Sequence, residues 1–247
     1  MRLRGDFQIP PNRAGRGSYN SFYIQVVDHS KQASEVFDKL AELYQSKFMD
    51  VSAYASEIDH FLKLITIPKP NLLEIACGPG NITRYIISKN PTVTILGIDL
   101  APKMIELAKL NCPEASFEVM DCRHISSLKT KYDGIIVSFC LPYLNKSEIE
   151  NLVKDISGLL QPGGKLYLST IEGDYKNSGY KKGSTGDEIF MHYYDYAAIE
   201  VLFYEAQLQI ISKSRVSVST NPHKDTDLII IAAKQKRLIV NKTSLDK

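Results

Sequence analysis

The distribution of apolar positions along the chain predicts strands that alternate with helices. Five apolar runs of strand length cover residues 72–77, 92–100, 115–120, 132–138 and 165–170. Between these runs, apolar residues return every three or four positions, as they do on one face of a helix. Such alternation is typical of a parallel sheet that is covered by helices on both faces. The predicted fold class is therefore α/β, with a doubly wound, mostly parallel sheet.

Helical spacing also dominates the chain before the first strand. Residues 31–48 and 51–65 each place their apolar side chains on one face, which predicts two leading helices. Residues 1–21 contain glycine and proline but little apolar periodicity, so a flexible lead is expected there, with a short extended piece at 22–27. Residues 22–70 are thus expected to form an N-terminal helical segment.

The C-terminal third contains a long connecting segment and two further strands. Residues 172–195 follow the fifth strand, and one more helix separates them from the strands predicted at 209–216 and 226–233. The main domain is accordingly expected to span residues 71–234. A basic tail, residues 235–247, is expected to be frayed.

The first strand ends in a turn that carries most of the chemical information. The apolar run leads into Gly78-Pro79-Gly80, and a helical pattern follows. Glycine permits backbone angles that are closed to other residues, and it lets a ligand lie directly on the main chain. The unpaired N–H groups at the start of the next helix favour a ligand carboxylate or phosphate. The strand, the turn and the helix together predict a ligand site.

Two ligand classes use such a turn, and two side chains separate them. A dinucleotide site needs a small third residue for close helix packing, but this chain has Thr83 at that position. Glu74 lies four residues before Gly78, where a ligand with an ammonium beside its carboxylate has a use for an acid. Asp99 ends the second strand, 21 residues after Gly78. An acid about there accepts hydrogen bonds from ribose hydroxyls, so a nucleoside ligand is expected.

The spacing Glu74-x-Ala76-x-Gly78-x-Gly80 resembles the first motif of class I S-adenosylmethionine-dependent methyltransferases. Further motifs follow in the order of that family, namely Asp99, Asp121, Tyr132-Asp133 and Pro162-Gly163-Gly164. The resemblance implies a seven-stranded Rossmann-like sheet with an antiparallel C-terminal hairpin, whose last strand lies beside the fifth. It also implies S-adenosyl-L-methionine as cofactor and methyl transfer to a small-molecule acceptor by in-line displacement.

The same resemblance implies that the helical segment, residues 22–70, acts as a lid, and it implies a set of cofactor contacts. Tyr44 resembles a tyrosine of the lid helix in many of these enzymes, where its ring would lie near the sulfonium. Asp121 matches an acid that accepts a hydrogen bond from the adenine amine, and it could equally cap the short helix that follows. The residues expected to contact the cofactor are Tyr44, Glu74, Ala76, Gly78, Pro79, Gly80, Asp99, Leu100, Met104, Asp121, Cys122, Ser138 and Phe139.

The substrate is expected under an aromatic segment, residues 172–204. This segment holds eight of the 23 Tyr and Phe residues of the chain, a density that fits poorly with disorder. A mobile cover over the substrate is predicted, the alternative being a surface excursion that packs on the sheet. The residues expected to contact the substrate are Tyr143, Glu172, His192 and Tyr194. His192 is the first candidate for a general base and Tyr193 a weaker one, if the acceptor must lose a proton.

Composition argues against several other classes of protein. The 30 basic and 28 acidic side chains nearly balance, so no dedicated nucleic-acid surface is expected. The longest apolar run, residues 228–233, is too short to cross a bilayer, and no apolar segment follows Arg2 and Arg4 to make a secretory signal. The four cysteines form no CxxC pair and lie in no histidine cluster, so no metal site is expected. We therefore expect a cytoplasmic protein.

Two other functions stay open at this point. An NAD-dependent dehydrogenase could use a similar sheet, although Thr83 and Glu74 speak against it. A non-catalytic module that binds S-adenosylmethionine and regulates a partner is also compatible with the sequence. Neither the acceptor atom nor the oligomeric state can be derived from these residues.

Overall fold

The computed structural model describes residues 27–217 and 226–236. The helices of this part are α1 (His29–Lys39), α2 (Ala41–Phe48), α3 (Ala55–Lys63), α4 (Asn81–Lys89), α5 (Pro102–Asn111), α6 (Lys146–Leu159) and α7 (Tyr196–Glu205). The strands are β1 (Asn71–Ile75), β2 (Thr94–Asp99), β3 (Ser116–Val119), β4 (Tyr132–Ser138), β5 (Leu160–Glu172), β6 (Gly179–Lys182), β7 (Glu188–Met191), β8 (Leu208–Val216) and β9 (Thr226–Lys234). Short 3₁₀ turns cover Ser52–Tyr54, Cys122–Ser127, Leu141–Tyr143 and Tyr175–Asn177.

Seven of these strands form one sheet in the order β3-β2-β1-β4-β5-β9-β8. The first five strands pair in parallel, whereas β9 pairs antiparallel with both β5 and β8. The predicted fold class is therefore confirmed, including the C-terminal hairpin whose last strand lies beside the fifth. Since the strand order reverses between β1 and β4, the carboxyl ends of these strands form the crevice where open α/β sheets bind ligands.

The core lies on both faces of the sheet, because successive strand residues point to opposite sides. Leu73 and Ile135 belong to the cluster that α6 and α7 cover, whereas Leu72 and Ile136 belong to the cluster that α3 and α4 cover. All four side chains are buried. This double coverage explains why the central strands appear in the sequence as nearly continuous apolar runs.

The N-terminal helical segment differs from its prediction in two respects. The helix predicted over residues 31–48 is two helices, because Leu40 leaves helical geometry at φ −103° and ψ 13°. The helix predicted over 51–65 is a 3₁₀ turn followed by α3. Residues 1–26 and 237–247 lie outside the described residues, so the predicted lead, the extended piece and most of the tail are not part of this description.

The segment predicted as a cover contains regular structure. Strands β6 and β7 form an antiparallel hairpin separate from the main sheet, closed by the hydrogen bond from Gly183 N–H to the Asp187 carbonyl at 2.9 Å. The hairpin packs against α1, where the His29 ring stacks on Phe190 with 4.1 Å between ring centroids. Lys39 of α1 forms an ion pair with Asp187 at 2.7 Å. The segment is therefore a hairpin docked on the leading helix.

Candidate active site

The turn after β1 is held open by left-handed backbone angles and tied to the next strand. Gly78 and Gly80 have φ angles of 52° and 81°, which glycine adopts without steric cost. The Gly78 N–H donates a hydrogen bond to Asp99 Oδ2 at 2.9 Å, and the Ala101 N–H donates to Oδ1 at 2.9 Å. The carboxylate at the end of β2 is thus fixed directly beside the glycine turn that follows β1.

A cavity of about 110 Å³ lies at the carboxyl ends of the parallel strands. Its walls include residues that follow β1, β2, β3 and β4, together with the inner face of α1. Ten of the residues predicted to contact the cofactor line it, namely Tyr44, Ala76, Gly78, Asp99, Leu100, Met104, Asp121, Cys122, Ser138 and Phe139. Residues far apart in the sequence are therefore brought together as the motif spacing predicts.

Backbone strain is concentrated at this cavity. Among the described residues, three non-glycine residues have left-handed backbone angles, and two of them, Ala76 at φ 57° and Phe139 at φ 50°, line the cavity. Each such angle costs on the order of 1–3 kcal/mol and persists only where the surroundings enforce it. Strain of this kind at the ends of β1 and β4 is consistent with a functional site.

Two acids of the cavity are held in different ways. Burial raises the pKa of Asp99, and the hydrogen bonds from backbone amides oppose that rise. Burial also acts to raise the pKa of Asp121, but hydrogen bonds from Arg123 outweigh it and leave that pKa lowered. The Asp121 side chain accepts a hydrogen bond from the Arg123 N–H at 2.9 Å and so caps the 3₁₀ turn. The predicted cap is therefore present, and the predicted adenine contact stays a prediction.

Glu74 does not line the cavity. It is completely buried on the face of β1 that meets α4, where Thr83 Oγ1 donates a hydrogen bond to its Oε2. Its other oxygen, Oε1, has no hydrogen-bond partner among the described residues. Burial raises the pKa of Glu74 to about 7, while hydrogen bonds from Thr83 oppose the rise. The structure therefore does not test the predicted contact between Glu74 and a ligand ammonium, which stays a prediction.

Pro79 and Gly80 also lie outside the cavity wall and serve to pack the turn. The Pro79 carbonyl accepts a hydrogen bond from Asn111 Nδ2 at 2.8 Å. Gly80 approaches α5 so closely that an added Cβ would lie 3.3 Å from Cys112 Sγ. Their predicted cofactor contacts therefore remain predictions, and their visible role is to join the turn to α5.

A second cavity, of about 650 Å³, adjoins the first. It lies between the helices α1 and α2 and the hairpin of β6 and β7. Three aromatic residues line both cavities, namely Phe37, Tyr44 and Tyr143. Its volume falls within the range of small-molecule sites, roughly 300–1,000 Å³. The two cavities together could hold two small molecules that meet at this aromatic junction.

The sequence of this site matches a known family. Residues 72–164 match a family model described as a methyltransferase domain. These residues are a class I S-adenosylmethionine-dependent methyltransferase domain. The predicted family is thereby confirmed for residues 72–164, whose strand ends line the first cavity; α1, α2 and the hairpin of β6 and β7 lie outside the matched residues.

The methyltransferase domain has curated relatives and solved structural neighbours. The putative methyltransferase 235L of Invertebrate iridescent virus 6 is 32% identical over 115 residues, which are 47% of this chain and 42% of the relative. The demethylmenaquinone methyltransferase of Thermotoga maritima is 26% identical over 141 residues, 56% of this chain and 61% of the relative. This chain therefore spans less than two thirds of either relative. The magnesium protoporphyrin IX methyltransferase of Synechocystis PCC 6803 shares the fold, with a TM-score of 0.64 and 16% identity over 85% of this chain and 99% of that one.

The residues predicted to act on the substrate divide into two groups. Tyr143, a predicted substrate contact, and Tyr193, the weaker candidate base, both line the second cavity. Glu172, His192 and Tyr194 line neither cavity. Glu172 forms an ion pair with Arg215, and Tyr194 is buried with its hydroxyl donating to the Leu144 carbonyl at 2.7 Å. Their predicted roles have no support from this geometry.

His192 is buried behind the hairpin, 5% exposed, in a cluster of aromatic rings. Its Nδ1 lies 3.3 Å from the Tyr175 hydroxyl, and its backbone N–H donates to the Pro142 carbonyl at 2.7 Å. Burial lowers the pKa of His192, and the nearby His29 lowers it further. The His192 ring is neutral, stacked on other rings and outside both cavity walls, as expected of a packing residue. The geometry therefore gives no support to His192 as a general base.

The contribution of α1 to the first cavity was not predicted from the sequence. Ser30, Ala33, Ser34 and Phe37 all line it. Their spacing of three and four residues is a helical stripe of small side chains ending in an aromatic ring, a signal that could have identified them.

Arg123, also not predicted, holds α1 in place because it binds Asp28 at the start of α1 as well as Asp121 and Glu148. The remaining unpredicted wall residues are Met120, Cys140 and Leu144.

Neither a cluster of metal-ligating side chains nor a membrane-spanning helix occurs among the described residues. No group of three or more His, Cys, Asp or Glu side chains that could hold a metal ion is found there. None of the helices in the described ranges is both long and apolar enough to span a membrane.

Proposed function

We propose that this protein binds S-adenosylmethionine in the first cavity and transfers its methyl group to a small molecule in the second. The observation that carries the proposal is the aromatic junction, since Phe37, Tyr44 and Tyr143 line both cavities. A donor held on one side and an acceptor on the other would meet there. Orientation of two reactants can contribute about 7–11 kcal/mol of barrier lowering, so a site of this shape has what the reaction needs most.

The residues of the first cavity fit a sulfonium nucleoside. An ionised carboxylate offers about four acceptor positions, and Asp99 uses two of them on the backbone N–H groups of Gly78 and Ala101. The remaining acceptor positions can accept hydrogen bonds from ribose hydroxyls. At Gly78, an added Cβ would meet only the Tyr44 ring, at 3.7 Å, so the main chain is open to a ligand. We propose that Asp121 faces the adenine amine and that the Tyr44 ring faces the sulfonium.

We propose that α1 moves when the cofactor binds, because the volume of the first cavity is small. At about 110 Å³ the cavity is below the usual range of small-molecule sites, and one wall is α1. This helix is fastened at its start by Arg123 to Asp28 and at its end by Lys39 to Asp187. Ion pairs at partly exposed sites contribute little stability, about 0–1 kcal/mol each, so these two pairs oppose a movement of the helix only weakly.

Bound S-adenosylmethionine supplies a methyl group that is already activated by the positive sulfur. The chain's own residues would orient the acceptor, whose lone pair forms the new bond while the sulfur keeps the electron pair of the broken bond. Burial and nearby acids raise the pKa of Tyr44 to about 12, and burial raises that of Tyr143. Neither phenol is therefore ionised near neutral pH. We propose that the junction positions the acceptor and that neither tyrosine acts as its base.

Radiolabelled methyl transfer tests the proposal. The protein is incubated with methyl-labelled S-adenosylmethionine and a metabolite extract, and label in new products is measured. Wild type is expected to label a product, whereas Gly78→Arg, which fills the turn, is expected to label none. Asp155→Ala, which removes a carboxylate from α6 outside both cavities, serves as control. Folded wild type that binds the cofactor but labels nothing would favour the non-catalytic module instead.

A further inference from the structure

The walls of the second cavity are apolar where they face each other. Val36, Leu40 and Leu43 contribute from the helical side, and Ile189 and Met191 contribute from β7. Leu43 is 38% exposed, an exposure that the cavity accounts for. Apolar walls on two opposite sides favour a ligand whose body is a ring system or a hydrocarbon chain, because burial of such a body gains about 25 cal/mol per Å².

The outer part of the same cavity is basic. Lys47 of α2 and the adjacent Lys181 and Lys182 of β6 line it, and none of the three lines the cofactor cavity. Lys181 lies over the Tyr193 ring, 5.4 Å from its centroid. Within the described ranges, Lys47 and Lys182 make no ion pair. These ammonium groups therefore retain donors for a ligand.

One acid lines this cavity, and its charge is already balanced. Asp187 accepts a hydrogen bond from Lys39 at 2.7 Å and one from Thr185 Oγ1 at 2.9 Å. Because Lys39 is not part of the wall, its pairing with Asp187 leaves the three lining lysines without a partner in the wall; Glu188, which lies opposite Lys182 in the hairpin register, does not line the cavity. The net charge that a ligand meets at the outer end is therefore positive.

We propose that the methyl acceptor is an amphipathic anion, with an apolar body and an oxygen anion such as carboxylate, sulfonate or phosphate. This inference rests on the proposed function and specifies the acceptor of the same site. The anionic group binds Lys181 and Lys182 at the outer end, and the apolar body extends inward between α1 and β7. The atom to be methylated then reaches the aromatic junction.

A matched pair of fluorescent dyes tests the site without knowledge of the natural acceptor. Anilinonaphthalene sulfonate carries an anion on an aromatic body, and phenylnaphthylamine is the same body without the anion. Both are titrated into full-length wild-type protein with S-adenosylhomocysteine present. The sulfonate is expected to bind saturably and tighter than the neutral dye by roughly three- to thirtyfold, as two charge pairs at a partly exposed site allow. The preference should shrink as salt is raised.

Variants test where the dyes bind and which lysine charges cause the preference for the sulfonate. The double change Lys181→Gln and Lys182→Gln should remove most of the preference and leave the affinity for phenylnaphthylamine unchanged. The matched control, Lys109→Gln with Lys154→Gln, removes two exposed lysines from α5 and α6 and should retain the preference. Ile189→Trp fills the cavity and should weaken both dyes. Equal affinities in wild type, a preference that survives the Lys181 and Lys182 changes, or an Ile189→Trp protein that binds both dyes normally would overturn the inference.

Fractionated extract links the site to the reaction. Metabolites are first separated on an anion exchanger, and each fraction is then offered with methyl-labelled S-adenosylmethionine. Labelled product is expected from the retained, anionic fraction, and the yield at low acceptor concentration should fall in the double lysine variant. Label that arises only from the unretained fraction refutes the anionic acceptor while the methyltransferase function stands. Absence of label from every fraction, with the dye preference intact, counts against the proposed function instead.

Discussion

A single buried carboxylate should control how the stability of this protein depends on pH. Glu74 is completely buried, one of its oxygens has no partner among the described residues, and burial raises its pKa from the usual 4.5 to about 7. The folded state therefore binds a proton more tightly at this site than the unfolded chain does. The resulting stabilisation is fully present below pH 4.5 and is lost as pH rises to about 7 and beyond.

The size of the effect follows from the two pKa values. A pKa that rises from 4.5 to about 7 corresponds to about 3 kcal/mol between the ends of this range. Glu74→Gln has nearly the same shape and stays neutral, and its amide oxygen can still accept the Thr83 hydrogen bond. The free energy of unfolding of the variant should therefore match wild type near pH 4 and exceed it by about 1–3 kcal/mol at pH 8.

Urea unfolding of both proteins at a series of pH values measures this difference. Glu106→Gln on α5 is the control, because it makes the same chemical change at an exposed position. A constant difference for Glu74→Gln between pH 4 and 8 would show that the carboxyl does not titrate as its burial requires.

Calorimetry tests whether the same carboxyl pairs with the ligand. If the cofactor ammonium pairs with Glu74, binding of S-adenosylhomocysteine at pH 6 should release a proton, which buffers of different ionisation enthalpy detect.

Three further changes test the junction, the turn and the buried histidine. Tyr44→Leu should weaken S-adenosylmethionine by roughly 2- to 30-fold relative to S-adenosylhomocysteine in calorimetry, because cation–π attraction contributes about 0.5–2 kcal/mol and only the former carries the positive sulfur; an equal loss for both ligands would contradict this. Gly80→Ala should lower the free energy of unfolding by about 1–3 kcal/mol, since φ is 81° and the new methyl crowds Cys112; an unchanged urea midpoint would be inconsistent with that geometry. His192→Gln should leave the pH profile of methyl transfer unchanged, and loss of a titration near neutral pH would restore the histidine as a base.

The sheet could be predicted because its strands are buried on both faces and appear as apolar runs. The cofactor residues could be predicted for a related reason. Residues that follow parallel strands meet at one edge of a sheet, so spacing alone brings Gly78, Asp99 and Asp121 together. The resemblance to a known family supplied the order of the motifs and the position of the last strand beside the fifth.

The rest depends on the direction of single side chains, which spacing does not determine. Glu74 shares a strand face with Leu72, so it points toward α4 and Thr83 and away from the cavity wall. His192 lies in an aromatic segment, but its own ring packs inward against Tyr175. The hairpin of β6 and β7 escaped prediction because none of its strand residues is fully buried, and its apolar and polar positions show no regular alternation.

Calorimetric titration with S-adenosylhomocysteine tests the central claim most directly, since it asks whether the glycine turn and Asp99 form a nucleoside site. Wild type and the control Asp155→Ala are expected to give saturable heat with one ligand per chain, and Asp99→Ala, shown to be folded by circular dichroism, is expected to lose most of it. Absence of saturable heat in wild type, or equal binding by Asp99→Ala, would contradict the account.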